Sequence, residues 1–140
     1  MSRELRGVFA GALAAFVWGA AEPLLRRAVG TPYSDIRLLG RTLTDGPHWR
    51  SAGLALHMVN GAAFGWAFAR LGGRGWKQGI AAAELETIAL WPGMAVVDRV
   101  HPDRRDGTWP PLVTNGRAFA LTAAGHALFG LILGSLVTDD

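Results

Sequence analysis

Four apolar stretches of about twenty residues constrain the fold of this chain more than any other feature. They cover residues 7–25, 51–69, 78–97 and 118–137. A helix rises about 1.5 Å per residue, so each stretch is long enough to cross a hydrocarbon layer of about 30 Å. The connections between them are rich in arginine, glycine and proline. We therefore predict an all-α, polytopic membrane four-helix bundle, folded as a single domain over residues 1–140.

A soluble bundle of alanine-rich helices is the competing interpretation, since the mean hydropathy of the whole chain is modest. However, a soluble helix needs a regular polar face, and the four apolar stretches show none. Trp49 and Trp76 also stand at the edges of two stretches, as interfacial aromatic residues often do. The pattern favours a membrane protein, with the lipid bilayer as its first partner.

Composition and motifs narrow the possible functions. The chain has no cysteine, which excludes a disulfide framework and thiolate metal sites. The net charge is only +3 and the arginines are spread through the connections, so we expect no nucleic-acid partner. The chain has no P-loop, nucleophile elbow, dinucleotide fingerprint or recognised metal-ligand spacing. The sequence therefore predicts no catalytic residue and no metal site, and it favours a non-enzymatic protein.

A His-x3-Gly-x3-Gly frame occurs twice, 69 residues apart. Its members are His57, Gly61 and Gly65, then His126, Gly130 and Gly134. Such positions share one helix face, and glycines there let helix backbones pack closely in membranes. The first helices match more weakly, residues 7–18 with residues 79–91. The frame predicts two similar two-helix units, 7–69 and 78–137, unless it is a chance recurrence in helices rich in alanine and glycine.

Polar residues inside the apolar stretches are predicted to meet near mid-membrane. Counted from the side with the longer connections, His57 and His126 lie roughly 9 Å and 12 Å deep. Glu86 enters from the other side and reaches nearly the same depth as His126. An ionised carboxylate at that depth needs a partner, a proton or a hydrated cavity. We predict a buried polar layer of Asn60, Glu86, Thr87 and His126.

The two histidines allow two interpretations. At similar depth on two helices they would suit the axial ligands of a b-type haem. Alternatively, they hydrogen-bond across helices while the glycines let the backbones approach. The second interpretation is favoured because haem pockets in compact bundles usually need more than two histidines. We therefore predict no cofactor and keep haem b as the alternative.

The connections 26–50 and 98–117 hold the remaining candidates. A possible partner-docking surface consists of Tyr33, Asp35, Asp98, Arg99, His101 and Asp103. These two connections carry nine basic residues, against five on the opposite side. The positive-inside rule then gives a slight preference for a cytoplasmic location of both connections. Orientation and oligomeric state stay open.

Several short motifs, spread over most of the chain, carry a family resemblance. They are Leu90-Trp91-Pro92 with Asp98-Arg99-Val100-His101-Pro102, Arg117-Ala118-Phe119 with His126-Ala127-Leu128-Phe129-Gly130, and Tyr33-Ser34-Asp35 near Leu38-Leu39-Gly40. In these motifs the chain resembles an uncharacterised family of small four-helix membrane proteins from actinobacteria. That family has no assigned activity. The resemblance implies a multi-pass protein of the bacterial cytoplasmic membrane and transfers no catalytic role.

Three functional hypotheses follow. The first is a non-enzymatic accessory or assembly subunit with a protein partner within the membrane, because glycine- and alanine-rich helix faces suit close packing. The second is a small proton- or cation-conducting carrier that uses Glu84, Glu86 and His126. The third is a haem- or pigment-binding protein with His57 and His126 as ligands.

Overall fold

A computed structural model describes residues 1–138, and within that range the chain forms helices, turns and loops but no strand. The all-α prediction is therefore confirmed. The helices are α1 Arg3–Val29, α2 Asp35–Leu43, α3 Trp49–Arg70, α4 Gly75–Leu90, α5 Met94–Val100, α6 Pro102–Arg105 and α7 Gly116–Leu136. A 3₁₀ turn at Trp91–Gly93 separates α4 from α5. Pro92 accounts for this break, because proline removes a backbone donor and disrupts a helix interior.

Three helical segments are long and apolar enough to cross a membrane: Arg3–Val29, Gly75–Val100 and Gly116–Leu136. They coincide with the first, third and fourth predicted spans. The second predicted span corresponds to α3, whose 22 residues are also sufficient in length. Polar side chains within α3, among them His57 and Asn60, lower its hydropathy.

Glycines join α1 to α3. A Cβ on Gly11 would collide with the carbonyl oxygen of Gly61, and a Cβ on Gly65 would collide with that of Gly7. The two backbones therefore touch along two turns of each helix, at a distance that only glycine permits. This is the close small-residue packing expected of membrane helices.

The same contact recurs between α4 and α7. A Cβ on Gly79 would collide with the carbonyl oxygen of Gly130, and one on Gly134 with that of Gly75. Gly75 and Gly79 follow the corresponding glycines of α1 by 68 positions, and those of α7 follow those of α3 by 69. Two helix pairs thus share one frame. The weaker match predicted between residues 7–18 and residues 79–91 aligns Gly7 with Gly79. In the structure, Gly7 corresponds instead to Gly75, four residues earlier.

The two pairs meet along one seam and separate along another. Between α1 and α7, the indole of Trp18 lies over Gly125, where a Cβ would collide with it. Between α3 and α4, the described residues make no comparable helix contact, and a groove of about 450 Å³ lies there instead. The four long helices therefore lie in the order α3, α1, α7, α4, with the α3/α4 seam open.

A polar cap covers one end of these helices, formed by α2, α5, α6 and the loop before α7. The helix α2 packs against α3 through Gly40 and Gly53, where a Cβ would collide with backbone of the other helix. Glu22 of α1 binds the start of α2, accepting hydrogen bonds from the Ser34 hydroxyl and from the Ile36 amide at 3.2 Å. The cap is thereby fixed to α1 and to α3.

Candidate functional site

A cavity of about 150 Å³ lies where the two helix pairs meet the cap. Its polar lining residues are Asp35, His57, Asn60, Glu86 and His126, and its aromatic ones are Trp18, Phe64 and Phe129. The side chains come from α1, α2, α3, α4 and α7. Three of the four residues of the predicted polar layer therefore line one cavity.

Glu86 and His126 lie next to each other in the wall of this cavity. Glu86 Oε2 lies 3.4 Å from His126 Nε2, and the side chains are 35% and 15% exposed, respectively. The other imidazole nitrogen, Nδ1, lies 2.9 Å from the carbonyl oxygen of Thr122. A carbonyl only accepts, so Nδ1 must carry a hydrogen. A hydrogen bond between Nε2 and the carboxyl group of Glu86 then needs one further proton. Either the imidazole or the carboxyl group can hold this proton, so the two side chains share it.

His57 lies close to this pair but makes different contacts. Its side chain is buried, at 7% exposure, and its Nε2 has no hydrogen-bond partner among residues 1–138. The ring of Trp18 lies against both imidazoles, with centroids 4.3 Å from His57 and 4.6 Å from His126. A buried polar atom without a partner is costly, which makes His57 Nε2 a group that a ligand would satisfy.

The haem alternative gains no support from this arrangement. Bis-histidine ligation needs two imidazoles on opposite sides of one iron, whereas Trp18 contacts both rings. The adjoining cavity of about 150 Å³ has the size of one that holds a benzene molecule, which is too small for a porphyrin. The histidines instead pack on aromatic rings of the core.

Asp35 brings a second carboxyl group to the cavity. It accepts hydrogen bonds from the hydroxyls of Tyr33 at 2.9 Å and Thr122 at 3.3 Å. Burial, and then the negative charge of Glu22, raise the pKa of Asp35 to about 6, against the opposing effects of His126 and the two hydroxyls. Burial and the Asp35 charge likewise raise the pKa of Tyr33. Asp35 therefore changes charge close to neutral pH.

The remaining predicted members of the polar layer lie apart from the pair. Asn60 lines the cavity but is exposed rather than buried. Thr87 is buried, yet its hydroxyl donates to the Ala83 carbonyl of its own helix at 3.1 Å and it does not line the cavity. Glu84 does not line it either. The pair itself, rather than a full layer, is the chemical centre of the site.

The predicted docking surface is mostly interior. Tyr33, Asp35, His101 and Asp103 are buried, Asp98 is largely covered, and only Arg99 is exposed. Tyr33, His101 and Asp103 make contacts that link the two connections to each other. Buried charged side chains need hydrogen-bonding or ionic partners within the protein. The charged residues of the predicted loop find these partners inside the cap.

Two contacts show how the cap is tied. Asp103 accepts two hydrogen bonds from Arg37, both of 2.8 Å, a bidentate geometry that raises the pKa of Arg37. His101 stacks on Trp109 with ring centroids 4.8 Å apart, and its Nε2 lies 3.1 Å from the Leu38 carbonyl. Sequence reasoning missed Arg37 and Trp109, because nothing in their local pattern distinguishes them from solvated loop residues.

No group of three or more histidine, cysteine or acidic residues within the described part of the chain could hold a metal ion. Comparison with known proteins gives no match, either to a family model, to a curated protein or to a solved structure. The resemblance to the actinobacterial family stays a prediction.

Proposed function

We propose that the chain is a polytopic protein of the bacterial cytoplasmic membrane, with α1, α3, α4 and α7 all crossing the bilayer. The helices α1 and α7 meet the length and composition of a span, and so does the segment Gly75–Val100, which continues α4 through the 3₁₀ turn into α5. The fourth, α3, is joined to α1 at two glycine contacts and so lies at the same depth. Large apolar side chains also point outward, such as Phe9, Leu85 and Ile88, each more than 60% exposed. A bilayer would cover them.

Within that membrane protein, we propose that the Glu86–His126 pair is the proton-accepting site of a small proton or cation carrier. The observation that carries the proposal is this pair of ionisable residues, lining a cavity between helices of membrane-spanning length. Ionisable groups at such depth are costly and usually mark ion or proton paths. Asp35 lines the same cavity on its cap side, and it offers the next acceptor for a proton.

Flux measurements in proteoliposomes test this proposal. Glu86→Gln keeps the side chain's shape and hydrogen-bonding capacity but removes its titration. We expect proton or cation flux to fall to the level of empty liposomes in Glu86→Gln. Glu84→Gln is the matched control on the same helix, outside the cavity, and should keep the wild-type flux. Flux at background in the wild-type protein, or equal flux in all three proteins, would leave Glu86 and His126 with a structural role only.

An accessory or assembly subunit is the second candidate. It is favoured by the span that includes α4, of which only 11% is buried, against 33% and 39% for the other two. Such a face suits a neighbouring subunit as well as lipid. Extraction in a mild detergent should then retain a stoichiometric protein partner, and a monodisperse monomer that still shows flux would argue against this role.

A further inference from the structure

The groove between α3 and α4 adjoins the polar cavity. Its walls are mainly apolar, with Phe68 and Leu71 on one side and Leu85 and Ala89 on the other. Phe64 and Glu86 line both the groove and the cavity, so they mark the junction. If the four long helices cross the bilayer as proposed, a chain-like apolar molecule would enter from the lipid along this groove and meet polar groups at its inner end.

The cavity combines polar groups from two helices with aromatic walls, and this combination suits a small, uncharged ring that carries polar atoms. His57 supplies a buried nitrogen without a partner from α3, and Glu86 supplies a carboxyl group from α4. Because Glu86 is paired with His126, the site already balances its own charge and does not need an ionic ligand. Trp18, Phe64 and Phe129 provide aromatic walls. A cavity of about 150 Å³ in another protein binds benzene, so a six-membered ring fits the volume here.

We propose that the cavity and groove together bind a quinone or quinol with an alkyl or prenyl chain. The ring would occupy the cavity with its two oxygens directed to His57 and Glu86, and the chain would lie in the α3/α4 groove. The inference uses the same cavity as the proposed carrier and rests on the proposed membrane location. It does not depend on ion flux.

Binding of decylubiquinone to the purified protein in a mild detergent tests the proposal. Two probes with chains of similar length serve as comparisons: decylbenzene, whose ring has no oxygens, and decanoic acid, whose head is charged. We expect saturable binding of decylubiquinone by thermophoresis, at least about tenfold tighter than either comparison probe, equivalent to about 1.4 kcal/mol. Equal binding of decylbenzene would mean non-specific apolar association, and tighter binding of decanoic acid would exclude the quinone class.

Two variants and their matched controls locate the site. His57→Leu removes the unpartnered nitrogen, and Ala89→Trp fills the groove, where Ala89 is exposed and a larger side chain is tolerated. Each should weaken decylubiquinone binding at least about tenfold. His48→Leu and Ala81→Trp alter exposed positions outside the cavity and groove, and should keep the wild-type affinity. Wild-type affinity in both site variants would overturn the proposal.

The design remains decisive if one variant fails to fold, which thermal unfolding would reveal. The groove variant and the comparison probes act independently of His57. Binding is measured in detergent without an ion gradient, so its failure would leave the flux result standing. Absence of flux, in turn, would not affect the binding result.

Discussion

The closed seam between α1 and α7 and the open seam between α3 and α4 are equivalent under the repeat. Each one joins the first helix of one unit to the second helix of the other. Trp18 and Glu86 are 68 positions apart, the same spacing that separates Gly7 from Gly75. In the closed seam, Trp18 lies over Gly125. At the corresponding place in the open seam stand Glu86 and, 69 positions before Gly125, Leu56. A large aromatic over a glycine closes one seam, and neither feature exists at the other.

This difference shows that the same arrangement of helices produces a tightly packed contact at one seam and a cavity lined by polar residues at the other. The glycine crossings hold each helix pair together, so the contact between pairs can vary without loss of the fold. The closed seam buries Trp18 almost completely, which stabilises the assembly. At the open seam Glu86 stands where Trp18 stands in the closed seam, and its carboxyl group pairs with His126 instead of packing over a glycine.

The largest expected effect is the loss of a glycine crossing. In Gly61→Leu, the first side-chain atom alone would meet the Gly11 carbonyl oxygen at 2.5 Å, and the crossing has no space for the rest. We expect α1 and α3 to separate, so the loss of unfolding free energy should exceed the roughly 1–3 kcal/mol of ordinary overpacking, because the whole contact between the two helices is lost. Circular dichroism and detergent unfolding would measure this. Gly116→Ala is the control, because a Cβ at that position meets nothing within 4 Å. A Gly61→Leu variant as stable as the wild-type protein would contradict the close crossing of α1 and α3.

The closed seam should be more sensitive to truncation than the open one. Trp18→Ala removes a side chain that is 4% exposed, and such substitutions cost about 3–5 kcal/mol. Phe64→Ala at the open seam removes a side chain that is only partly buried, so we expect a loss of about 1 kcal/mol. Equal losses in the two variants would show that the seams do not differ in packing.

A smaller effect concerns the cap-side end of the closed seam, where Asp35 binds Thr122 of α7. Because the pKa of Asp35 is raised to about 6 from 3.8, the folded protein binds more protons than the unfolded chain between these pH values. The free energy of unfolding should therefore fall by roughly 3 kcal/mol as pH rises through this window, and no further above it.

Asp35→Asn should flatten this part of the pH profile, because it removes the titrating group while keeping an acceptor for Tyr33 and Thr122. Equilibrium unfolding in detergent at a series of pH values would measure it. Glu22 and His126 also act on Asp35 and remain in the variant. An unchanged pH profile in Asp35→Asn would contradict titration of Asp35 as the cause.

The sequence predicted the long helices well because apolar length and glycine spacing are local properties. The repeat of His57 and His126 identified the second helix of each unit for the same reason. The partners across each seam could not be predicted, since the contact of Trp18 with Gly125 depends on which faces of α1 and α7 meet. The buried cap was missed because Asp103 and His101 have the composition of a solvated loop, and only the distant Arg37 and Trp109 reveal that they are interior.

Chemical rescue would examine the proposed role of the Glu86–His126 pair in the open seam. His126→Ala removes the imidazole beside Trp18 and Glu86, and external imidazole is small enough to replace it. We predict that proton or cation flux in proteoliposomes falls to background in His126→Ala and returns as imidazole is added, while Glu86→Gln stays at background with or without it. Wild-type flux in His126→Ala, or a loss that imidazole does not restore, would contradict a proton-accepting pair at this seam.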